Sequence, residues 1–164
     1  MPLSPSHPTP PPARRPQSVF LLRGPDAPGG GRHAPAPLPA PVLQSVVRRA
    51  LDADATLALR DCRSEQELLD ALCLADHDPA EVVLLAPGAC VASERLRRLL
   101  PRLRNTYVEV HDDDSARPPQ LPENAGHRLA VACGCGAQSY MLALDMALEH
   151  LACNEAGDPV HVGT

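Results

Sequence analysis

Aromatic side chains are nearly missing from this 164-residue chain: Phe20, Tyr107 and Tyr140 are the complete set, and there is no tryptophan. No tyrosine precedes Tyr107, so no phenol from the first hundred residues can take part in any chemistry. Positive charge is also in short supply. The formal net charge is −5, which argues against a nucleic-acid partner, because such a partner needs a basic face. Long apolar runs are absent: none approaches the roughly 20 residues required to span a bilayer, so no membrane is expected. The N-terminus, MPLSPSHPTPPPARRPQ, lacks the apolar core of a secretory signal. Cys62, Cys73, Cys90, Cys133, Cys135 and Cys153 lack the dense, regular spacing of a disulfide scaffold. Reduced thiols in a cytoplasm fit them better.

Proline is abundant, and its placement divides the chain. Seven of the first seventeen residues are proline, which predicts a disordered tail over 1–17. A folded domain is expected over 18–153 and a C-terminal tail over 154–164. Residues 23–41 hold six prolines and four glycines, too many to sustain helix or strand.

Elsewhere the apolar pattern alternates between two periods. SVFLL (18–22), ATLALRD (55–61), EVVLLAP (81–87), TYVEVH (106–111) and HRLAVAC (127–133) read as strands. Helical spacing recurs over 41–53, 64–76, 92–103 and 136–152, with Ser64 and Glu67 placed as a capping box and Pro101 ending or bending the third helix. The arginines at 95, 97, 98, 102 and 104 alternate with leucines and read as the solvated face of an amphipathic helix. Strands alternating with helices, with near-continuous apolar strands, predict an α/β fold: a flavodoxin-like, doubly wound, five-stranded parallel sheet with helices on both faces. Ligands of such folds sit beyond the carboxyl ends of the strands. That singles out loops 23–41, 86–92, 111–126 and 133–137.

Those loops, in order, resemble the type II 3-dehydroquinate dehydratases of the shikimate pathway. LLRGPD is similar to that family's strand followed by Gly-Pro-Asn, and LRDCRSEQELLDAL to its Arg-x-x-x-Ser-x-x-Glu segment. LLAPGA resembles the Asn-Pro-Gly-Ala loop, YVEVH the Glu-Val-His strand end, and GCGAQSYMLAL the Gly-x-Gly-x-x-Gly-Tyr helix start. The resemblance implies a metal- and cofactor-free lyase that eliminates water from a cyclic ketone acid. It implies a tyrosinate base from the first loop assisted by an arginine, and an asparagine that stabilises the enolate through a water. A third-loop histidine would be the acid, and the Glu-Val-His histidine with the backbone after it would hold the substrate.

Carried onto this chain, most of those positions are altered. Asp26 stands at the enolate-stabilising asparagine, His33 at the arginine with Arg32 beside it, and Leu38 at the tyrosine. Ala86 replaces the third-loop asparagine, Ala92 the acid histidine, and Leu99 an aspartate that reaches a neighbouring subunit. His111 is retained, followed by Asp112, Asp113 and Asp114. The expectation is a catalytically degenerate member with an assembly, regulatory or altered ligand-binding role. Candidate ligand-binding residues are Arg32, Cys90, His111, Asp112 and Asp113. A homo-oligomer (trimer or dodecamer), or co-assembly with an active paralogue, is expected, with a small-molecule ligand possible. Two alternatives compete. One is an active dehydratase using His33 or Asp26 as a displaced base. The other is a different small-molecule or metal activity built from Cys90, Cys133, Cys135, His111 and the aspartates, although buried cysteines more often serve as small hydrophobes.

Overall fold

Apolar strands at the centre of the chain dictate the layout. The computed structural model describes residues 2–10, 17–27, 33–77 and 82–156. Strands β1 (Gln17–Arg23), β2 (Ala55–Asp61), β3 (Val82–Ala86), β4 (Thr106–Val110) and β5 (Arg128–Ala132) form one sheet in the order β2-β1-β3-β4-β5. Every pairing is parallel. This is the flavodoxin-like doubly wound order, in which winding reverses between β1 and β3. All five residues of β3 are buried, as its unbroken apolar run requires.

Helices α1 (Ala40–Asp52) and α4 (Ser139–Ala156) cover one face, packing Val42, Val46, Leu144 and Leu148 onto Val19, Leu21 and Leu84. Helices α2 (Glu65–His77) and α3 (Glu94–Leu99) cover the other, with Leu68, Leu72 and Leu96 against Leu22, Val83 and Leu85. Their boundaries follow local chemistry. The Ser64 hydroxyl accepts the Glu67 N–H at 3.2 Å, and the Glu67 carboxylate reaches back to the Arg63 N–H at 2.8 Å, one residue earlier than a standard capping box. The continuous helix expected over 92–103 is divided. A 3₁₀ turn occupies Gly88–Ala92, Ser93 caps α3 by accepting the Leu96 N–H, and Pro101, which has no N–H, sits in a second 3₁₀ turn. At the C-terminus α4 runs to Ala156, past the expected domain end at Cys153, and β1 begins at Gln17 rather than Ser18. Residues 2–10 are exposed and without regular structure. The rest of the expected tails, and Arg32, lie outside the described residues.

The loops after β1 and β3 are fastened backbone to backbone. The Gly24 N–H donates to the Ala86 carbonyl at 2.7 Å, and the Ala89 N–H to the Pro25 carbonyl at 2.9 Å. A Cβ on Gly24 would lie 2.4 Å from the Pro87 carbonyl oxygen, and one on Gly88, which has φ +57°, would lie 2.7 Å from the Pro25 oxygen. Gly24-Pro25 and Pro87-Gly88 are thus the condition for close approach at the switch point. Gly24→Ala is expected to destabilise the fold by at least about 2 kcal/mol, because the obstacle is backbone rather than a movable side chain. Urea unfolding should show a lower midpoint with an unchanged slope.

Candidate functional site

Beyond the carboxyl ends of β1, β3 and β4 lies a crevice of about 230 Å³, at the switch point of the sheet. At its base is Arg23, the last residue of β1 and only 4% exposed. A buried guanidinium needs partners, and four segments supply them. Nη1 donates to Asp61 of β2 at 3.0 Å, Nε to the Tyr140 hydroxyl of α4 at 3.0 Å, and Nη2 to the Ala36 carbonyl at 2.7 Å. Asp112 lies 3.6 Å from Nη2 and accepts the Tyr140 O–H at 2.7 Å. Burial acts to lower the Arg23 pKa, but the hydrogen bond and charge interaction with Tyr140, and then Asp61, outweigh it and hold the group above its ordinary value.

Tyr140 matters because it is the one phenol in the crevice wall. Burial pushes its pKa above the usual range, and Asp112 adds to the rise, while Arg23 offsets only some of it. The hydroxyl therefore remains protonated and is already committed as a donor to a carboxylate. It is a structural link and not a base.

A second buried set lies behind His111. Glu109 is fully buried in β4 and points to the same side of the strand as His111, two residues on. Its carboxylate accepts from the Leu121 N–H, from Arg128 Nη1 at 3.1 Å, and is hydrogen-bonded to His111 Nε2. Arg128 also donates to the Leu121 carbonyl at 2.8 Å.

Of the residues expected from sequence, the structure gathers Asp26, Ala86, His111, Asp112 and Asp113 around this one crevice. Others are elsewhere. Leu38, at the position of the implied base, packs half-buried onto the α1–α4 core. Ala92 and Cys90 do not line the crevice; they line a neighbouring hollow of about 180 Å³ with Pro25, Glu65 and Ser93. Burial pushes the Cys90 thiol up to about 11, with Glu65 adding to the effect, which leaves it unreactive near neutral pH. His33 is exposed and contributes through its backbone, donating to the Arg63 carbonyl. Asp26 has a definite partner: its carboxylate accepts the Ala36 N–H at 3.0 Å. Ala36 is held at both polar groups, by Asp26 and Arg23, and buried Pro35 lines the crevice wall. The lining holds one guanidinium and three carboxylates, Asp26, Asp112 and Asp113, and Arg23 lies 3.6 Å from Asp112. Among the described residues, no group of three or more His, Cys, Asp or Glu side chains is arranged to hold a metal ion.

Sequence reasoning missed Arg23, Glu109, Arg128 and the link through Tyr140. A signal existed for two of them. Arg23 and Glu109 are charges within otherwise apolar strands, and such residues are buried only when paired.

No family model matches the chain. It is 32% identical over 142 residues to a 3-dehydroquinate dehydratase of Shewanella denitrificans, covering 82% of this chain and 92% of that one. It is 33% identical over 145 residues to 3-dehydroquinate dehydratase 1 of Pseudomonas putida, covering 84% and 96%. Its fold is similar to the type II dehydroquinase of Propionibacterium acnes, with a TM-score of 0.62, 17% identity, and coverage of 81% of this chain and 98% of that one. A 3-dehydroquinate dehydratase-like protein from Bifidobacterium longum gives a TM-score of 0.57 at 16% identity, with coverage of 83% and 98%.

The tyrosine environments have a measurable consequence. Burial, with Glu109 adding, pushes the Tyr107 pKa up to about 12, and Tyr140 is also raised. In the unfolded chain both ionise near pH 10. Stability that is fully present below pH 10 is therefore lost as the pH climbs from 10 through 12, since only the unfolded state releases its protons there. With two tyrosines and no tryptophan, the tyrosinate absorbance is clean. It is expected to appear only together with loss of the folded circular dichroism signal.

Proposed function

The chain belongs to the type II 3-dehydroquinate dehydratase family, and we propose that it is a member which keeps the fold without the turnover. Leu38 carries this reading. At the position of the implied base, the side chain is apolar and packed into the α1–α4 core, so neither its chemistry nor its location suits proton abstraction beside a ketone. The implied acid is Ala92, in a separate hollow. Three candidates among the described residues are poorly placed for these roles. Tyr140 is held protonated, Asp26 is engaged with the Ala36 backbone, and His33 is not among the lining residues.

Each positioned acid or base is typically worth about 10²–10⁴-fold in rate. Loss of both leaves turnover at least about 10⁴-fold below a working enzyme, even allowing that such effects do not add. Charge works the same way on binding. At an effective dielectric of about 20, two like charges some 4 Å apart repel by roughly 4 kcal/mol, and a substrate carboxylate would meet Asp26, Asp112 and Asp113 in a crevice whose guanidinium is already shared among other acceptors. A role in assembly, regulation or binding of a different ligand is what remains, in a homo-oligomer (trimer or dodecamer) or alongside an intact paralogue. Leu99, half-buried against the α2–α3 core, suits an apolar contact where the family places an aspartate.

The test is a dehydratase assay that follows the ultraviolet absorbance of the enone product. No turnover is expected. Leu38→Tyr alone still lacks the acid and Ala92→His alone still lacks the base, so both are expected to remain silent. Turnover by the unaltered chain at an ordinary enzyme rate overturns the reading.

A further inference from the structure

In a chain of net charge −5, arginines gather at 95, 97, 98, 102 and 104. Two of these have partners of their own: Arg97 donates to the Val91 carbonyl at 3.5 Å, and Arg104 lies 4.0 Å from Asp76. The other three meet in an open hollow of about 440 Å³ between α2 and α3, on the face of the sheet away from α1 and α4. The crevice measures about 230 Å³, so this second hollow is the roomier of the two and has the volume of a small-molecule site.

Two helical stripes build it. α2 contributes Gln66, Leu69, Asp70 and Cys73, spaced i, i+3, i+4 and i+7. With the same spacing, α3 and the 3₁₀ turn after it contribute Arg95, Arg98, Leu99 and Arg102. Leu69 is buried and Leu99 half-buried, while the three arginines are exposed, so an apolar floor lies beneath a rim of guanidiniums. The charge of that rim is not balanced where it sits. Like charges three or four positions apart on a helix repel, as Arg95 does Arg98 and Arg98 does Arg102. Arg95 donates to the neutral Gln66 amide, and Arg98 has one exposed contact with Glu94, at 3.5 Å. Arg102 has no ion pair among the described residues. Asp70, the one carboxylate in the lining, already accepts from Gln66 Nε2 at 2.8 Å. Three guanidiniums against one carboxylate leave an excess of two positive charges.

We propose that this hollow binds a small organic anion with two negative charges and an apolar body, of the aryl phosphate class. Guanidiniums are planar, weakly hydrated forks that pair two-pronged with phosphate oxygens. Their aliphatic stems extend the floor of Leu69 and Leu99 against the apolar part of the ligand. Inorganic phosphate would leave that floor in water, and an extended polyanion would meet the acidic remainder of the chain. The hollow shares no residue with the crevice, so the inference does not depend on whether the crevice turns over a substrate.

Phenyl phosphate is the probe. Calorimetry of the full chain is expected to show one site per chain, at least about tenfold tighter than for inorganic phosphate and weakening as salt is raised. Arg98→Gln combined with Arg102→Gln is expected to weaken binding about tenfold, and Asp70→Asn to strengthen it about threefold. Arg97→Gln beside the hollow and Asp113→Asn at the crevice are expected to leave it unaltered. Cys73, exposed in the lining, locates the event. Phenyl phosphate is expected to slow its alkylation by iodoacetamide, followed by mass spectrometry, while exposed Cys135 and Cys153 react as before. Circular dichroism establishes that each variant is folded. Arg102→Gln alone, with an expected loss of about threefold, stands in should the double variant fail to fold. The proposal is overturned by absence of binding, by binding no tighter than that of inorganic phosphate, or by binding indifferent to the folded arginine variants. A Cys73 that phenyl phosphate does not protect, or that is unreactive without it, as beneath a second chain, also overturns it.

Discussion

The buried guanidinium of Arg23 organises the functional end of this molecule. A charge so far from water is tolerated only with its donors satisfied, and the acceptors come from four separate segments: Asp61 on β2, Ala36 in the first loop, Tyr140 on α4 and, at longer range, Asp112 after β4. Those segments lie far apart in the chain, and Arg23 touches all of them. With the Tyr140–Asp112 and Ala36–Asp26 hydrogen bonds it ties together the first loop, the start of α4 and the turn after β4.

Glu109 has the corresponding role on β4, gathering Arg128, His111 and the Leu121 backbone around one buried carboxylate. The two sets together account for the polar composition of the crevice and commit most of its donors to partners within the protein. Electrostatic catalysis relies on donors and dipoles held ready and directed at charge that has not yet formed. Here the donors of Arg23 are directed at the Asp61 carboxylate, the Ala36 carbonyl and the Tyr140 hydroxyl, and that hydroxyl in turn at Asp112.

Much of the fold could be read from the sequence, because periodicity and short connections report on burial directly. The five strands, their parallel pairing and the two helical layers all follow from apolar runs such as VVLLA in β3. What could not be read was of two kinds. One was local and backbone-driven: Ser93 and Pro101 cut the third helix into a short α segment flanked by 3₁₀ turns, a competition among hydrogen bonds that apolar spacing does not register. The other was long-range. Motif order led to Asp26, Ala86, His111, Asp112 and Asp113, which do meet at one crevice, but it also suggested Cys90, which lies in the next hollow. Arg23 meets Tyr140 across 117 positions of sequence, and no pattern of neighbours announces such a pair.

The close approach of Gly24 to Pro87 bears on how a chain like this one can drift. Asp26 and Asp113 line the crevice and are exposed, so either can be exchanged with little effect on the packed sheet, unlike the buried Arg23 and Tyr140. Gly24 and Gly88 have no such latitude, since any Cβ there meets a carbonyl of the opposing loop. Steric tolerance is therefore uneven around the crevice: it is wide at exposed carboxylates and nil where one loop's backbone touches the other's. The letters least free to change are those that set the architecture.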